Sequence, residues 1–269
     1  MMAEKIKIKD VNLLFLALSS LFISCGSTIG MRTPINSFIS PESTGKSFRG
    51  EVNLFYSVAT NADIDLSDTS SEHNIVVGEE SNLSNIIGIN GAMGIIPRLD
   101  FIAQSAGSKN PVMAGLRFQL LGDTRQNTSK GNHSLSIVGL YGASSDSQQN
   151  DEDVELTPKD EEAEADIEME ATEIRLIYGY RISKNWLTYF GLTQGSSNFN
   201  GKVESDNVLL DGKKLDYDSN YTGANLGFNF HARKVFQLKI EAAAHKIKWS
   251  ETDETTRGLL LASVGFFWD

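Results

Sequence analysis

From residue 48 onward, apolar and polar side chains alternate with a period of two. Phe48, Gly50, Val52, Leu54, Tyr56 and Val58 share one face; Arg49, Glu51 and Asn53 share the other. The pattern recurs in Val112, Ala114, Leu116, Phe118 and Leu120 against Arg117 and Gln119. It recurs again in Ile174, Leu176, Tyr178 and Tyr180 against Glu173, Arg175 and Arg181, and in Phe236, Leu238, Ile240 and Ala242 against Gln237, Lys239 and Glu241. Alternation sustained this long predicts strands. Ten fit the chain: 48–59, 83–96, 99–107, 111–121, 133–144, 168–182, 186–198, 217–232, 235–249 and 257–268. Most are longer than the ~5–6 residues of an ordinary strand and match the ~9–11 that a membrane barrel requires. The five prolines avoid strand interiors, as a residue without an N–H should. The fold predicted is all-β: an antiparallel up-and-down transmembrane β-barrel of about ten strands.

The connections give the barrel a direction. With the first strand starting in the periplasm, the inner turns are 97–98, 122–132, 183–185 and 233–234. The outer loops are then 60–82, 108–110, 145–167, 199–216 and 250–256. Short inner turns and long outer loops are the rule for outer-membrane barrels, with 108–110 and 122–132 as exceptions here. A soluble lipocalin-like periplasmic barrel that binds an apolar ligand would alternate too, with its apolar face inward. Aromatic placement decides between them. Trp186, Trp249 and Trp268 lie at strand ends. Tyr56, Tyr141, Tyr217 and Tyr221 lie towards outer ends, and Tyr178, Tyr180 and Tyr189 towards inner ends, as two interfacial girdles would require.

The N-terminus reads as an address. Lys5, Lys7 and Lys9 precede an apolar run from Val11 to Ile23, which is too short to span a bilayer and has a signal-peptide layout. Phe22-Ile23-Ser24-Cys25 resembles the lipobox of bacterial lipoproteins, in which the cysteine carries the lipid. The resemblance implies a signal peptide over 1–24 and lipidation at Cys25. Residues 26–46 contain Gly, Ser, Thr, Pro34 and Pro41 and read as a tether, so 25–47 is expected to be a lipid-anchored or flexible periplasmic tether, and the alternation puts the barrel over 48–269. At the other end, Leu260, Ala262, Val264, Phe266 and Trp268 alternate to the C-terminus. This resembles the terminal strand of bacterial outer-membrane barrels of the small OmpA/OmpX-like kind. That resemblance implies an outer-membrane location, with membrane lipid and the assembly machinery as partners.

Composition narrows the chemistry. A single cysteine excludes internal disulfides and multi-cysteine zinc sites. The net charge of −11 equals that of residues 151–173 alone, where twelve acids meet only Lys159. A chain with no basic stripe is not expected to bind nucleic acid. The acidic run itself reads as a solvated extracellular loop, since like charges repel.

The expected lumen network contains Arg49, Glu51, Asp100, Arg117, Gln119, Glu173, Arg175, Arg181, Lys239, Glu241 and His245. Mixed charges in a narrow interior must pair. Ten strands lie near the filled end of the size range, so a wide porin is not expected. A structural or surface-interaction role without enzymatic activity or cofactors is the first expectation, and a narrow ion or small-solute pore the second. An outer-membrane hydrolase is the third. Simple pairing across the 250–256 hairpin puts His245 opposite Leu261 and diagonal to Ser263, which permits a Ser–His dyad without a third member.

Overall fold

The alternation becomes a continuous antiparallel ladder. The computed structural model describes residues 30–34, 38–65, 76–77, 83–107, 109–150, 163–205, 211–232, 235–249 and 255–268. The signal segment, Cys25 and most of the outer loops lie outside the described residues, as do the side chains of Trp249 and Trp268. The described strands are β1 (Gly30–Pro34), β2 (Gly50–Asp65), β3 (Val76–Val77), β4 (Leu83–Ile96), β5 (Leu99–Ser105) and β6 (Met113–Leu121), followed by β7 (His133–Asn150), β8 (Ala163–Ser183), β9 (Trp186–Ser205), β10 (Lys214–Ala232), β11 (Phe236–Trp249) and β12 (Thr255–Trp268). Ten of them, β2 and β4 to β12, pair in chain order, and β12 returns to β2 to close the barrel.

The wall is inside out relative to a soluble protein. Ile174, Leu176, Phe190, Leu192, Leu226 and Phe228 point outward and are 43–61% exposed. Glu51, Asp100, Arg117, Gln119, Arg181 and Lys239 point inward and are buried. Such an apolar belt is stable only against hydrocarbon, so the barrel spans a membrane and the soluble alternative falls. Two-residue turns at 97–98 and 184–185 mark the inner end. At the first of these, Arg98 takes a left-handed φ of 72°, and its guanidinium donates to the carbonyls of Leu120 and Gly122, tying two inner turns together.

Towards the outer end of β8 to β11 the polarity reverses. On β8 the outward side chains change from Ile174, Leu176 and Tyr178 to Glu164, Asp166, Glu168 and Glu170. The inward ones change from Glu173, Arg175 and Arg181 to Ala165, Ile167, Met169 and Ala171, all buried. The register carries the switch across neighbours: Thr172 pairs with Ser196, Ser196 with Asn220, and Asn220 with Lys248. Below this ring the sheet faces lipid; above it, the sheet faces water.

The reversal explains why the expected strands were too short. β7, β8 and β9 extend to Asn150, Ala163 and Ser205, past the expected limits of 144, 168 and 198. Residues 163–167 are therefore strand and not loop; Glu164, Asp166, Glu168 and Glu170 form the wet face of an alternating element whose inner face there is apolar, while Glu173 faces the lumen. The rest of the acidic run, 151–162, lies outside the described residues. The tyrosine girdle also needs correction. Tyr56, Tyr141 and Tyr178 face outward, but Tyr189, Tyr217 and Tyr221 are 1–5% exposed and point inward.

The segment before the barrel is the largest departure from expectation. Phe38, Ile39, Ser40, Glu42, Ser43 and Thr44 are 0–4% exposed, packed within the lumen. This part of the chain is a plug and not a flexible periplasmic tether, because its backbone and side chains bond to the inward polar groups of the wall. At the inner mouth the chain turns through Gly45, whose φ of +89° and tight packing on Thr124 suit a residue without a side chain, and then enters β2. Above the plug, β1 pairs antiparallel with Ala59–Asp63 of β2. Ala59 and Thr60 pair with β4 on their other edge, so β1 takes the edge that β12 leaves above Phe55.

The polarity switch predicts opposite outcomes for one substitution at two depths. Leu176→Arg, in the lipid belt, should destabilise the barrel by about 2–4 kcal/mol. Glu168→Arg, eight residues further out on the same face, should change stability by no more than about 0.5 kcal/mol. Urea unfolding in lipid vesicles measures both.

Candidate functional site

The lumen is the concave feature that gathers the chain's buried polar chemistry, and the plug organises its inner half. Strand alternation brings Asp100 of β5 and Arg117 of β6 side by side as register partners. Arg117 Nε and Nη2 donate to Asp100 Oδ2 at 2.9 and 2.5 Å, and Nη1 donates to the Ser40 carbonyl at 2.7 Å. Asp100 also accepts from the plug: Thr44 Oγ1 donates at 2.6 Å and Thr44 N at 3.1 Å. Gln119 Oε1 accepts from both N and Oγ of Ser43 at 2.8 Å. Ser136 Oγ donates to the Pro41 carbonyl.

Arg181 is as enclosed as Arg117 and is tied to the plug by a side chain and not a carbonyl. It is 1% exposed, and its Nε and Nη2 donate to Glu42 in a fork-to-fork pair at 2.8 and 2.5 Å. Its third nitrogen donates to the Lys184 carbonyl at 2.7 Å. Glu42 also accepts from Thr128 Oγ1 at 3.1 Å and Asn132 Nδ2 at 3.3 Å, both from the 122–132 turn. That turn is long because it folds under the inner mouth. From it, Arg125 donates to Glu51 at 2.5 Å and lies 4.1 Å over the Phe267 ring, and its backbone N donates to the Ser43 carbonyl at 2.9 Å. Glu51 accepts further bonds from Gln237 at 3.0 Å and Lys239 at 3.5 Å, and Lys239 Nζ donates to the Phe38 carbonyl at 2.8 Å.

A second network runs from Tyr189 and Glu241 at mid-depth to Glu173, Arg175, Tyr221 and His245 further out. Arg175 donates to Glu173, which also accepts from Tyr221 OH at 3.0 Å. Glu241 accepts from Tyr189 OH and Asn225 Nδ2, both at 2.9 Å. His245 stacks on Tyr221 with centroids 5.8 Å apart. Cross-strand glycines make room for these rings. A Cβ on Gly195, Gly223 or Gly227 would stand about 2 Å from Tyr221, His245 or Tyr189 respectively, each the glycine's register partner. A cavity of about 20 Å³ beside Thr33, Gln104, Asn110 and Arg175 has room for roughly one water.

Together, five carboxylates (Glu42, Glu51, Asp100, Glu173 and Glu241) face five cations (Arg117, Arg125, Arg175, Arg181 and Lys239). Of the side chains expected in the lumen, the structure places Glu51, Asp100, Arg117, Gln119, Glu173, Arg175, Arg181, Lys239, Glu241 and His245 inside. Arg49 is different: it precedes β2 and is half-buried at the inner rim, where its backbone bonds Gly94 and Lys46. Sequence reasoning missed Glu42, Arg125, Tyr189 and Tyr221. No charge surplus pointed to Glu42: without Arg49 the expected lumen set balances, with Arg117, Arg175, Arg181 and Lys239 against Glu51, Asp100, Glu173 and Glu241.

The geometry separates His245 from Ser263. The observed register pairs Ser263 with Lys239 and His245 with Arg257, so the two lie six residues apart along the ladder, about 20 Å. The expected diagonal contact required a hairpin shifted by four residues, so His245 and Ser263 form no dyad. Among the described residues, no three His, Cys, Asp or Glu side chains converge to hold a metal.

No family model and no curated protein matches the chain. Two similar solved structures each align with 82% of it. One is Ail, the attachment invasion locus protein of Yersinia pestis, in complex with the heparin analogue sucrose octasulfate, at 13% identity, 99% of that chain and a TM-score of 0.34. The other is the outer membrane protease OmpT from Escherichia coli, at 8% identity, 91% of that chain and a TM-score of 0.39. Likeness this low bears on neither chemistry nor partners.

Two substitutions test the lumen. Glu42→Ala strands a buried guanidinium and should destabilise the barrel by about 3–5 kcal/mol; in an Arg181→Met background the same change should cost far less. Gly227→Ala drives a methyl into Tyr189 and should cost about 1–3 kcal/mol. Unfolding of the purified barrel, followed by gel mobility against temperature, ranks them.

Proposed function

We propose that the protein is a non-enzymatic, non-conducting outer-membrane barrel that presents an extended β-sheet at the cell surface. The observation that carries this is the plug. Residues 38–44 occupy the inner lumen and bond to Asp100, Arg117, Gln119, Ser136, Arg181 and Lys239 on five different strands. A path for ions would have to break a connected set of buried, charge-assisted bonds, each of which is costly to open. The separation of His245 from Ser263 removes the support for a hydrolase at that pair. Above the lipid belt, β7 to β10 continue as a sheet with an acidic and amide-rich outer face that includes Glu164, Asp166, Glu168, Asn200, Asp216 and Asp218. That surface, well supported and directed away from lipid, suits recognition by an external partner.

Two measurements test the proposal. In a planar bilayer the full-length protein should give no conductance steps across a range of voltages; discrete steps would overturn the closed reading. Cutting the β7–β8 hairpin back so that a short turn joins Ser144 to Met169, which are register partners, should leave the heat-dependent gel shift of the folded barrel intact. Loss of that shift would make the projecting sheet part of the barrel's core and not a display element.

A further inference from the structure

The path of the N-terminal segment fixes the side of the membrane on which the chain emerges. Reading backward from β2, the chain leaves the inner mouth at Gly45 and rises through the lumen as Thr44, Ser43, Glu42, Ser40 and Phe38. Thr44 bonds Asp100, next to the inner turn at 97–98, whereas the Phe38 ring packs 5.6 Å from Phe55 in a buried cluster with Ala59, Ile86 and Ala106, further out. β1 then continues upward: Pro34 pairs with Ala59 and Gly30 with Asp63. Asp63 lies thirteen residues beyond Gly50. A transmembrane strand needs only ~9–11 residues to cross the hydrocarbon. Met31 and Thr33 are buried beside the outer network of Glu173, Arg175 and Tyr221, so β1 is held from the inside as well as along its edge.

We infer that the chain threads its own barrel from outside to inside, so that Gly30 lies at the extracellular end and the mature chain before it leaves the barrel on that side. The C-terminal end of β12 remains at the inner mouth, where Trp268 pairs with Gly50. The two termini therefore lie on opposite sides of the membrane. Cys25 is five residues before Gly30; a lipid attached there would enter the outer surface and not the inner leaflet. This goes beyond the presentation role proposed above, because it concerns the route of the chain and not the projecting sheet.

The test places one epitope tag between Ser27 and Thr28 and another after Asp269 in the full-length chain, expressed in intact cells. The N-terminal tag should bind antibody on intact cells, and the C-terminal tag only after the outer membrane is permeabilised. Any other pattern overturns the inference, including reversal of the two, which would mean that the barrel itself is inserted the other way. A second measurement does not depend on tag tolerance. Ser43→Cys, in a Cys25→Ser background, should resist a bulky water-soluble maleimide in the folded, unboiled barrel and react after boiling, because Ser43 is fully buried in the lumen. If folded protein is labelled as fast as boiled protein, residues 38–44 do not thread the lumen and the inference fails.

Discussion

A guanidinium inside a narrow barrel cannot be left alone. Taking Arg181 out of water costs several kcal/mol, and only a carboxylate in good geometry offsets this. The wall does not supply that carboxylate to Arg181; Glu42 does, from a segment outside the barrel strands. Much of the inner half follows from this arrangement. With Glu42 fixed, its neighbours Ser43 and Thr44 reach Gln119 and Asp100, the 122–132 turn bends under to share the same carboxylate, and Arg125 comes within reach of Glu51. The plug is therefore a structural member of the lumen and completes its charge balance.

The second organising constraint is the change of solvent along the strands. One strand, β8, serves two environments by exchanging the roles of its two faces at Thr172 and Glu173. Alternation persists through the exchange, because the backbone geometry does not depend on which side is wet. This lets β8 run for twenty-one residues as a single element. The hydrophobic effect determines which face turns outward at each depth, and hydrogen bonding along the ladder keeps the element continuous.

Much of the barrel was legible in the sequence because period-two alternation survives in any single strand. The limits of β4 were read to the residue, and the inward positions of Glu51, Asp100, Arg117, Arg181 and Lys239 follow from the alternation. What escaped had specific causes. The outer ends of β7 to β9 were hidden because acids on the wet face resemble a loop when counted by composition; Ala165, Ile167, Met169 and Ala171 carried the correct period between them. Tyr189 and Tyr221 were assigned to interfaces because a ring at a strand end satisfies that pattern equally well. The glycines facing them, Gly227 and Gly195, marked the interior, but only once register was known. The plug was not legible, since Phe38–Thr44 has no period and its partners are distant in sequence. The hairpin register at His245 was also beyond reach, because a shift of a few residues leaves the alternation intact.

A barrel whose own leading segment passes through it is a closed ring around a thread, and the two belong to one covalent chain. The leading end of the thread is free, so only its bonds hold it: sliding it back through the inner mouth would break the pairs of Glu42, Ser43 and Thr44 with Arg181, Gln119 and Asp100. The ring closes where β2 meets β12 along only Gly50–Phe55, and β1 continues that edge above. The same segment therefore acts as a clasp, lying against the closing seam of the barrel and bonding to strands on the far side of it.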